Sequence, residues 1–282
     1  MTYLITGATG DVGSRVTEML IERGERPRIF VRDLKKAHAR FGKRAEIFVG
    51  DLADIASLKP ALKGVDALFL VTTGPEIPSL DEGAATIAKV TGVRHLVKLS
   101  SMDVAQGLAI GAWHEQGEAA IQASGIPFTS VRPSGFMSNL LAWTHSVRSE
   151  GIVRSSTGNG KRAFIHSNDI AAVATVALTT GAYDMQSLTI TGPEALTFAD
   201  VTARIGAAIG RALKFESIAD GEAHQRYAAT GASATETDAH VALWRAIREG
   251  RLATATNVVE QVLGRPPINF DQWLSENETA FR

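Results

Sequence analysis

Short apolar runs alternate with amphipathic segments along the first half of the chain. The runs are rich in β-branched residues and predict six strands: Tyr3–Thr6, Arg28–Val31, Glu46–Val49, Ala67–Val71, His95–Ser100 and Phe128–Arg132. The segments between them have apolar residues at helical spacing and predict five helices: Val12–Arg23, Lys35–Phe41, Ile55–Leu62, Leu80–Thr91 and Trp113–Ala123. Strands that alternate with helices form a parallel sheet covered on both faces. The pattern therefore predicts an α/β fold with a doubly wound parallel sheet.

The pattern is less regular after Arg132, where Pro133-Ser134-Gly135 interrupts it. We expect four further elements: a helix from Phe136 to Arg148, a helix that Asn168-Asp169 caps and that ends near Leu178, a strand over Ser187–Thr191, and a helix that Thr197 caps and that ends near Ile209. The alanine-rich remainder is predicted to be mostly helical. No low-complexity linker divides the chain, so we expect residues 151–282 to form a smaller, mostly helical substrate-binding part interleaved with a domain over residues 1–150.

Several predicted helices have residues at their ends that commonly cap helices. A glycine that reaches the left-handed region at low cost follows four of them, so we predict C-caps at Gly24, Gly64, Gly92 and Gly125. Asp54 precedes the third helix and is predicted to be its N-cap.

Composition narrows the classes of function. The 282 residues are 45% hydrophobic, which is enough for a large core, and the formal net charge of −1 gives no field to attract nucleic acid or an anionic membrane. No apolar run approaches the roughly 20 residues that span a bilayer, and the N-terminus does not resemble a signal peptide. Cysteine is absent and the seven histidines form no metal-binding motif. We expect a cytoplasmic protein with no metal, nucleic-acid or membrane partner.

A glycine-rich turn lies directly between the first predicted strand and the first predicted helix. Its spacing, G-x-x-G-x-x-G, is typical of a Rossmann-type turn: the first glycine permits a tight turn, the second lets the backbone approach a pyrophosphate, and the third lets the helix pack close to the sheet. Glycines alone are a weak signal because they also serve ordinary turns. The strand–turn–helix order supports a dinucleotide site made by Gly7, Thr9, Gly10, Asp11, Val12 and Gly13.

The residue that follows the second strand distinguishes NADP from NAD. An acidic residue there binds the ribose 2′-hydroxyl, whereas an arginine binds the 2′-phosphate by donating hydrogen bonds to it. Arg32 is the first polar residue after this strand, and Asp33 comes one position later, where it can point away as a turn residue. Arg32 therefore favours NADP(H) over NAD(H). The alternative is that Arg32 is only a solvated surface charge.

Two further loops follow strands at the carboxyl edge of the sheet, where ligands bind in open α/β folds. Asp51 and Leu52 end the third strand and are predicted to reach the adenine, although Asp51 can instead cap the next helix. Thr72, Thr73 and Gly74 end the fourth strand. We predict that all five residues contact the cofactor.

Six segments, TGATGDVG, GDL, GVRHLVKLSS, RPSGFMSN, DIAAVA and GRPP, together resemble the NmrA-like group of atypical short-chain dehydrogenases/reductases. The resemblance covers nearly the whole chain except residues 221–254. The group contains NADPH-dependent quinone reductases, a triphenylmethane dye reductase and regulatory proteins that bind dinucleotide without turnover. The resemblance implies that the cofactor is bordered by Ser100, Pro133, Ser134 and Phe136, and the substrate by Ser101, Trp113, Met137 and Asn139.

The Tyr-x-x-x-Lys pair of most short-chain dehydrogenases is absent here. In that pair the tyrosine exchanges a proton with the substrate oxygen, and the lysine lowers the tyrosine pKa. Tyr3, Tyr183 and Tyr227 all lack a lysine four residues later. His114 and Glu118 stand at the matching places, on one face of the fifth helix. Either Glu118 orients His114 or raises its pKa, leaving an imidazolium that donates a proton, or the two form a helix-surface pair that shapes the pocket.

Two other residues permit alternative interpretations. Lys98 is unusual in an apolar strand, and we expect its side chain to extend to the sheet edge rather than to act in catalysis. Trp143 either joins Trp113, Phe136 and Met137 in one apolar pocket or belongs to the core.

The sequence supports two hypotheses about function. The first is an NADPH-dependent reductase of a conjugated small-molecule acceptor such as a quinone, enone, imine or dye, with His114 as the candidate catalytic residue. Such acceptors delocalise the developing charge and need little general-acid help, which suits a site without the tyrosine and lysine. The alternative is a non-catalytic NADP(H) sensor that acts through a protein partner. Either protein can be a homodimer.

Overall fold

The computed structural model describes all 282 residues, which divide into two units. The first unit contains Met1–Ser101, Ala112–Arg132 and Ser167–Thr189, and the second contains Met102–Gly111, Pro133–His166 and Ile190–Arg282. The chain therefore passes between the units several times, and residues 167–189 belong to the first unit although they follow residue 150.

The chain forms eleven strands and twelve α-helices. The strands are β1 (Tyr3–Thr6), β2 (Arg28–Val31), β3 (Glu46–Val49), β4 (Ala67–Leu70), β5 (His95–Leu99), β6 (Phe128–Pro133), β7 (Ile152–Ser155), β8 (Lys161–Arg162), β9 (Ser187–Ile190), β10 (Leu196–Thr197) and β11 (Lys214–Ser217). The helices are α1 (Asp11–Glu22), α2 (Leu34–Phe41), α3 (Leu58–Leu62), α4 (Ile77–Thr91), α5 (Ala109–Ala123), α6 (Thr144–Ser149), α7 (Ser167–Thr180), α8 (Phe198–Ile209), α9 (Asp220–Ala228), α10 (Ala234–Arg248), α11 (Val258–Leu263) and α12 (Phe270–Asn277). None of these helices is both long enough and apolar enough to span a bilayer.

A seven-stranded sheet in the order β3-β2-β1-β4-β5-β6-β9 forms the centre of the first unit. Every neighbouring pair from β3 to β6 is parallel, which confirms the predicted doubly wound α/β fold. The six strands predicted for this sheet from the first half of the chain are all present, with ends within one residue of the prediction. The strand order reverses between β1 and β4, and open α/β sheets bind their ligands at such a reversal, outside the carboxyl ends of the strands.

Helices of the first unit pack closely because small residues face the strands. The buried face of α4 contributes Ala84, Ala85 and Ala88 to a core that also contains Leu68 of β4 and Leu96 of β5. Helices α1 and α7 pack on each other, and α7 also contacts β4 and β5. The sheet that carries the site is therefore held by apolar packing of both its strands and its helices.

Three helix predictions differ from the structure at the N-terminal end. The predicted helix Ile55–Leu62 is a 3₁₀ turn over Ile55–Ser57 followed by α3, because Pro60 lacks an N–H and is tolerated only in the first turn of an α-helix. Helix α4 begins at Ile77, three residues before the predicted Leu80, with a proline in its first turn. Helix α5 begins at Ala109, four residues before the predicted Trp113. Asp54 occupies the predicted N-cap position, before the 3₁₀ turn, but its side chain makes no capping hydrogen bond. The four predicted C-cap glycines all adopt a positive φ.

The second unit contains two small sheets and most of the C-terminal helices. Strands β7 and β11 pair in parallel, and β8 and β10 pair antiparallel. The predicted helix Phe136–Arg148 is wrong over its first half, where a 3₁₀ helix runs from Met137 to Trp143 before α6. The Met137 N–H donates to the Ile165 carbonyl oxygen at 2.9 Å, and Phe136 forms an isolated β-bridge with Ile165. The start of this segment is therefore extended rather than helical. Thr197 caps α8 as predicted.

Candidate functional site

The glycine turn between β1 and α1 is shaped to admit a pyrophosphate. Gly7 has a φ of +61°, and the Gly10 N–H donates to the Gly7 carbonyl oxygen at 2.9 Å. A Cβ atom at Gly13 would lie 2.3 Å from that oxygen, so only glycine lets the helix approach the turn this closely. Gly10 is the N-cap of α1 and provides no side chain, which leaves the first N–H groups of the helix for a ligand. The residues present thus fit the diphosphate of a dinucleotide.

The side chain of Asp11 is fixed by polar partners on α1 and α7. Its carboxylate accepts from the Ser167 hydroxyl at 2.5 Å and from the Arg15 guanidinium at 3.1 Å. Sequence reasoning placed Asp11 at the cofactor but did not find Ser167, which lies far away in the chain. Because the carboxylate already has these partners, the turn offers a phosphate its backbone N–H groups rather than this side chain.

At the end of β2, two neighbouring charged residues have different roles. Arg32 is exposed and makes no hydrogen bond or ion pair, so its guanidinium is accessible at the carboxyl edge of the sheet. Asp33 is the N-cap of α2 and accepts from the Lys36 N–H at 3.0 Å, so it caps a helix, whereas the sequence suggested a turn residue. The Asp51 carboxylate accepts from the Ala53 N–H at 3.0 Å and turns the chain directly after β3. Leu52 beside it is half-buried.

A buried polar triad lies behind the end of β4. The Thr72 hydroxyl donates to Asp81 Oδ1 at 2.8 Å and accepts from the Lys98 ammonium group. Lys98 Nζ also lies 3.0 Å from Asp81 Oδ2, and both charged side chains are wholly buried. The prediction that Lys98 extends to the sheet edge is wrong, because Asp81 on α4 provides a buried counter-charge. Thr73 is exposed and Gly74 is half-buried in the same loop.

Burial and pairing have opposite effects on this ion pair. Burial raises the pKa of Asp81 and lowers the pKa of Lys98, while the attraction between the two groups opposes both shifts. Gly117 of α5 makes room for the carboxylate, since a Cβ there would lie 2.2 Å from Asp81 Oδ2. The sequence indicated part of this triad, because Lys98 is a charged residue in an apolar strand. It did not indicate that Asp81 would be the partner of Lys98.

A second ion pair, with Glu118 buried and Arg132 half-buried, joins α5 to β6. The Ser100 hydroxyl donates to Glu118 Oε1 at 2.5 Å, and Arg132 Nε donates to the same oxygen at 3.0 Å. The Arg132 guanidinium also pairs with Glu118 Oε2. Sequence reasoning named Ser100 and Glu118 but assigned no role to Arg132. Since the Ser100 proton points at a carboxylate, the hydroxyl oxygen offers a ligand its lone pairs, and Ser100 acts as an acceptor.

The structure contradicts both interpretations of the His114–Glu118 pair. His114 is buried, with 8% of its surface exposed, so it is not part of a helix-surface pair. The Glu118 carboxylate bonds to Ser100 and Arg132, so it does not raise the pKa of His114. Burial, with smaller contributions from the positive charges of Lys98 and Arg132, lowers the pKa of His114 to about 3. His114 is therefore a neutral imidazole at physiological pH, and its Nδ1 atom makes no hydrogen bond.

The residues predicted to border the substrate occur in both units, and three residues predicted to border the cofactor, Pro133, Ser134 and Phe136, lie in the second unit. In the first unit, Ser101 and Trp113 are half-buried. In the second unit, Pro133 and Ser134 are buried, Phe136 is half-buried and Asn139 is exposed. Met137 lies in the hydrophobic core of that unit, and Trp143 packs against the same core with its ring 5.2 Å from the Phe198 ring. No three histidine, aspartate or glutamate side chains are grouped so that they could hold a metal ion.

A doubly wound sheet with a glycine turn at the first strand–helix junction defines a dinucleotide-binding protein. Residues 7–180 match the NAD(P)H-binding family, and the chain belongs to that family. Its cofactor is therefore NAD(P)H.

Named relatives match nearly the full length of the chain. It is 38% identical over 281 residues to a (4-alkanoyl-5-oxo-2,5-dihydrofuran-3-yl)methyl phosphate reductase of Streptomyces griseus, covering 99% of this chain and 98% of the relative. It is 34% identical, with the same coverage, to an NAD(P)H azoreductase of Xenophilus azovorans. Its fold matches the NADPH complex of an NADPH-dependent quinone oxidoreductase from Escherichia coli with a TM-score of 0.88, at 22% identity over 98% of this chain and 99% of that one.

Proposed function

We propose that the protein is an NADPH-dependent reductase of small molecules whose reducible bond is conjugated, such as a quinone, an enone, an imine or an azo dye. The observation that carries this proposal is that the two candidate proton donors singled out at this edge of the sheet, His114 of α5 and Ser100 at the end of β5, are both unsuited to that role. His114 is neutral because burial depresses its pKa to about 3. The Ser100 proton is already donated to Glu118.

A simple ketone and a conjugated acceptor differ in how much they need such a donor. Reduction of an isolated carbonyl leaves a localised alkoxide, which requires an acid in the transition state, and general acid catalysis typically contributes about 10²–10⁴ in rate. Reduction of a quinone or an enone spreads the charge over a conjugated system, which water can protonate later. A site without a dedicated acid is therefore suited to conjugated acceptors.

The names of the relatives support the same class of acceptor. The relative from Streptomyces griseus is named for a dihydrofuranone whose ring double bond is conjugated with two carbonyl groups, and the relative from Xenophilus azovorans is named for azo compounds. In both, the reducible bond is conjugated. We propose a substrate of that electronic type for this chain and commit to no particular compound.

The chain's own residues would hold and orient the reactants. The cofactor supplies a hydride when bound, and its diphosphate fits the turn formed by Gly7, Gly10 and Gly13. Arg32 is proposed to donate hydrogen bonds to the 2′-phosphate and so to give the preference for NADPH. Ser100, fixed by Glu118, offers a lone pair to a donor group near the carboxyl end of β5. Rate acceleration then comes mainly from holding donor and acceptor in contact.

The test first compares two ketones that differ only in conjugation and then extends to other conjugated acceptors. NADPH oxidation is measured with 2-cyclohexenone and with cyclohexanone, and then with a benzoquinone and an azo dye. We expect kcat/KM for at least one conjugated acceptor to exceed that for cyclohexanone by at least a hundredfold. Equal turnover of the saturated ketone would contradict the proposal. Tight NADPH binding without turnover of any acceptor would also contradict it, and would favour a regulatory dinucleotide-binding protein.

A further inference from the structure

We propose that the buried triad of Thr72, Asp81 and Lys98 is a positioning device that holds the segment after β4 in place for NAD(P)H binding. The inference rests on the cofactor class and does not depend on which acceptor is reduced. The three side chains belong to the end of β4, to α4 and to β5, so a single cluster ties this segment to two other elements.

The segment touches the phosphate turn directly. The Val71 N–H donates to the Thr6 hydroxyl at 2.7 Å, and the Thr6 hydroxyl donates to the Phe69 carbonyl oxygen at 3.2 Å. A Cβ atom at Gly7 would lie 3.0 Å from Val71 Cβ. Residue 72 therefore follows immediately after a residue that abuts the first glycine of the turn. A shift of this segment would move one wall of the crevice between β1 and β4.

The hydrogen bonds of Thr72 give its side chain a single orientation. Its one proton is donated to Asp81 Oδ1, and its oxygen accepts from Lys98, which also lies 3.2 Å from the same Asp81 oxygen. Gly117 lets α5 approach the carboxylate from another side. The threonine at the cofactor edge is thus held from behind by charged groups that do not themselves reach the crevice surface.

The cost of burying charge argues against stability alone as the role of the triad. Replacing a buried ion pair by apolar residues of similar volume is often neutral or stabilising, because the desolvation of both charges is then avoided. The triad lies close to an alanine- and leucine-rich core on α4, β4 and β5, where apolar side chains would pack readily. An ion pair at that place is better explained by the geometry that it imposes on Thr72.

The first experiment uses Thr72→Val, which keeps the shape of the side chain and removes its hydroxyl. The Kd for NADPH is measured by equilibrium titration of the purified protein, with no acceptor present. We expect Thr72→Val to raise Kd at least fivefold and Thr72→Ser to stay within twofold of wild type. The matched control is Thr175→Val on α7, where a buried threonine loses a hydroxyl that donates to the Ala171 carbonyl oxygen. We expect this control to lower Tm without changing Kd.

A second variant removes both charges together, so that neither is left buried alone. In Asp81→Asn/Lys98→Met, residue 81 still accepts from Thr72, but the Thr72 oxygen loses its cationic donor. We expect Kd for NADPH to rise at least threefold in folded protein. If Kd is unchanged in both Thr72→Val and the double variant while Tm falls, the triad only stabilises the fold and the inference is overturned. Because no acceptor is used, failure here leaves the proposed reductase activity untouched.

Discussion

The phosphate turn and the charged clusters behind it are built in different ways. The turn is a contiguous stretch in which backbone geometry at Gly7, Gly10 and Gly13 creates the site. The clusters are made by side chains from β4, α4, β5, α5 and β6 that meet only in the folded sheet. In the proposed function the turn binds the cofactor diphosphate, whereas the clusters fix the protons and charges at the ends of the neighbouring strands. The two regions should therefore respond differently to substitution.

The largest expected effect is on the turn. Gly10→Val would place a branched side chain where the pyrophosphate approaches the backbone. We expect loss of measurable NADPH binding, with circular dichroism close to wild type. The matched control is Gly221→Val, at a glycine that has open space around it. Unchanged NADPH affinity in Gly10→Val would place the dinucleotide elsewhere.

The next effect concerns stability and separates a buried ion pair from an exposed one. Glu118→Ala leaves the Arg132 guanidinium without its carboxylate. Breaking a fully buried pair costs about 3–5 kcal/mol, and because the Arg132 side chain is 21% exposed we expect a loss near the lower end, about 3 kcal/mol. Arg44→Ala removes a partner from the exposed pair with Glu18, which is worth about 1 kcal/mol or less. Urea denaturation gives both values. A loss below about 1 kcal/mol in Glu118→Ala would show that the buried cluster is not structurally coupled to the sheet.

A smaller effect is expected from acid. The pKa of His114 is about 3 in the folded protein and 6.5 in the reference state, so below pH 6.5 the unfolded chain binds a proton that the folded chain does not. Stability is therefore lost as the pH falls from 6.5 towards 3. Between about pH 7 and pH 5 this group accounts for about 2 kcal/mol of that loss.

The variant His114→Gln isolates this contribution. Its unfolding free energy, measured by urea denaturation at several pH values, should fall less steeply with decreasing pH than that of the wild type. Parallel curves for the two proteins would mean that His114 titrates alike in the folded and unfolded states, which would contradict the buried, neutral imidazole.

The smallest expected effect is on cofactor preference. Arg32 is exposed and forms no ion pair, so its removal should not unfold the protein. We expect NADPH to bind at least tenfold more tightly than NADH, about 1.4 kcal/mol, and Arg32→Ala to remove most of that difference. The control Lys35→Ala, at an exposed position nearby, should keep most of the preference for NADPH. Equal affinity of the wild type for both cofactors would contradict the assignment of Arg32.

The predictability of each region follows from its construction. The strands of the first unit and the glycine turn depend on local patterns, namely apolar periodicity and residues that permit a positive φ, and both could be read from the sequence. Helix α3 was misjudged only because Pro60 must lie in the first turn of an α-helix.

The clusters could not be read in the same way, because their partners are far apart in the chain. Lys98 was recognised as unusual, but its environment depends on Asp81 of α4, which sequence spacing does not connect to it. For the same reason, the spacing of His114 and Glu118 suggested that they pair with each other. In the folded protein the Glu118 carboxylate instead accepts hydrogen bonds from Ser100 and Arg132. Helical spacing shows which residues share a face but not which partner from another element is closer.

The most direct test of the account is the pH dependence of kcat for a quinone between pH 5 and pH 9, in wild type and in His114→Ala. If His114 is neutral and donates no proton, the pH profile of kcat should have no limb near the histidine pKa. The kcat of His114→Ala should then be reduced by less than about tenfold. A loss above about a hundredfold, together with a limb near pH 6–7 that disappears in the variant, would make His114 the proton donor and contradict the account.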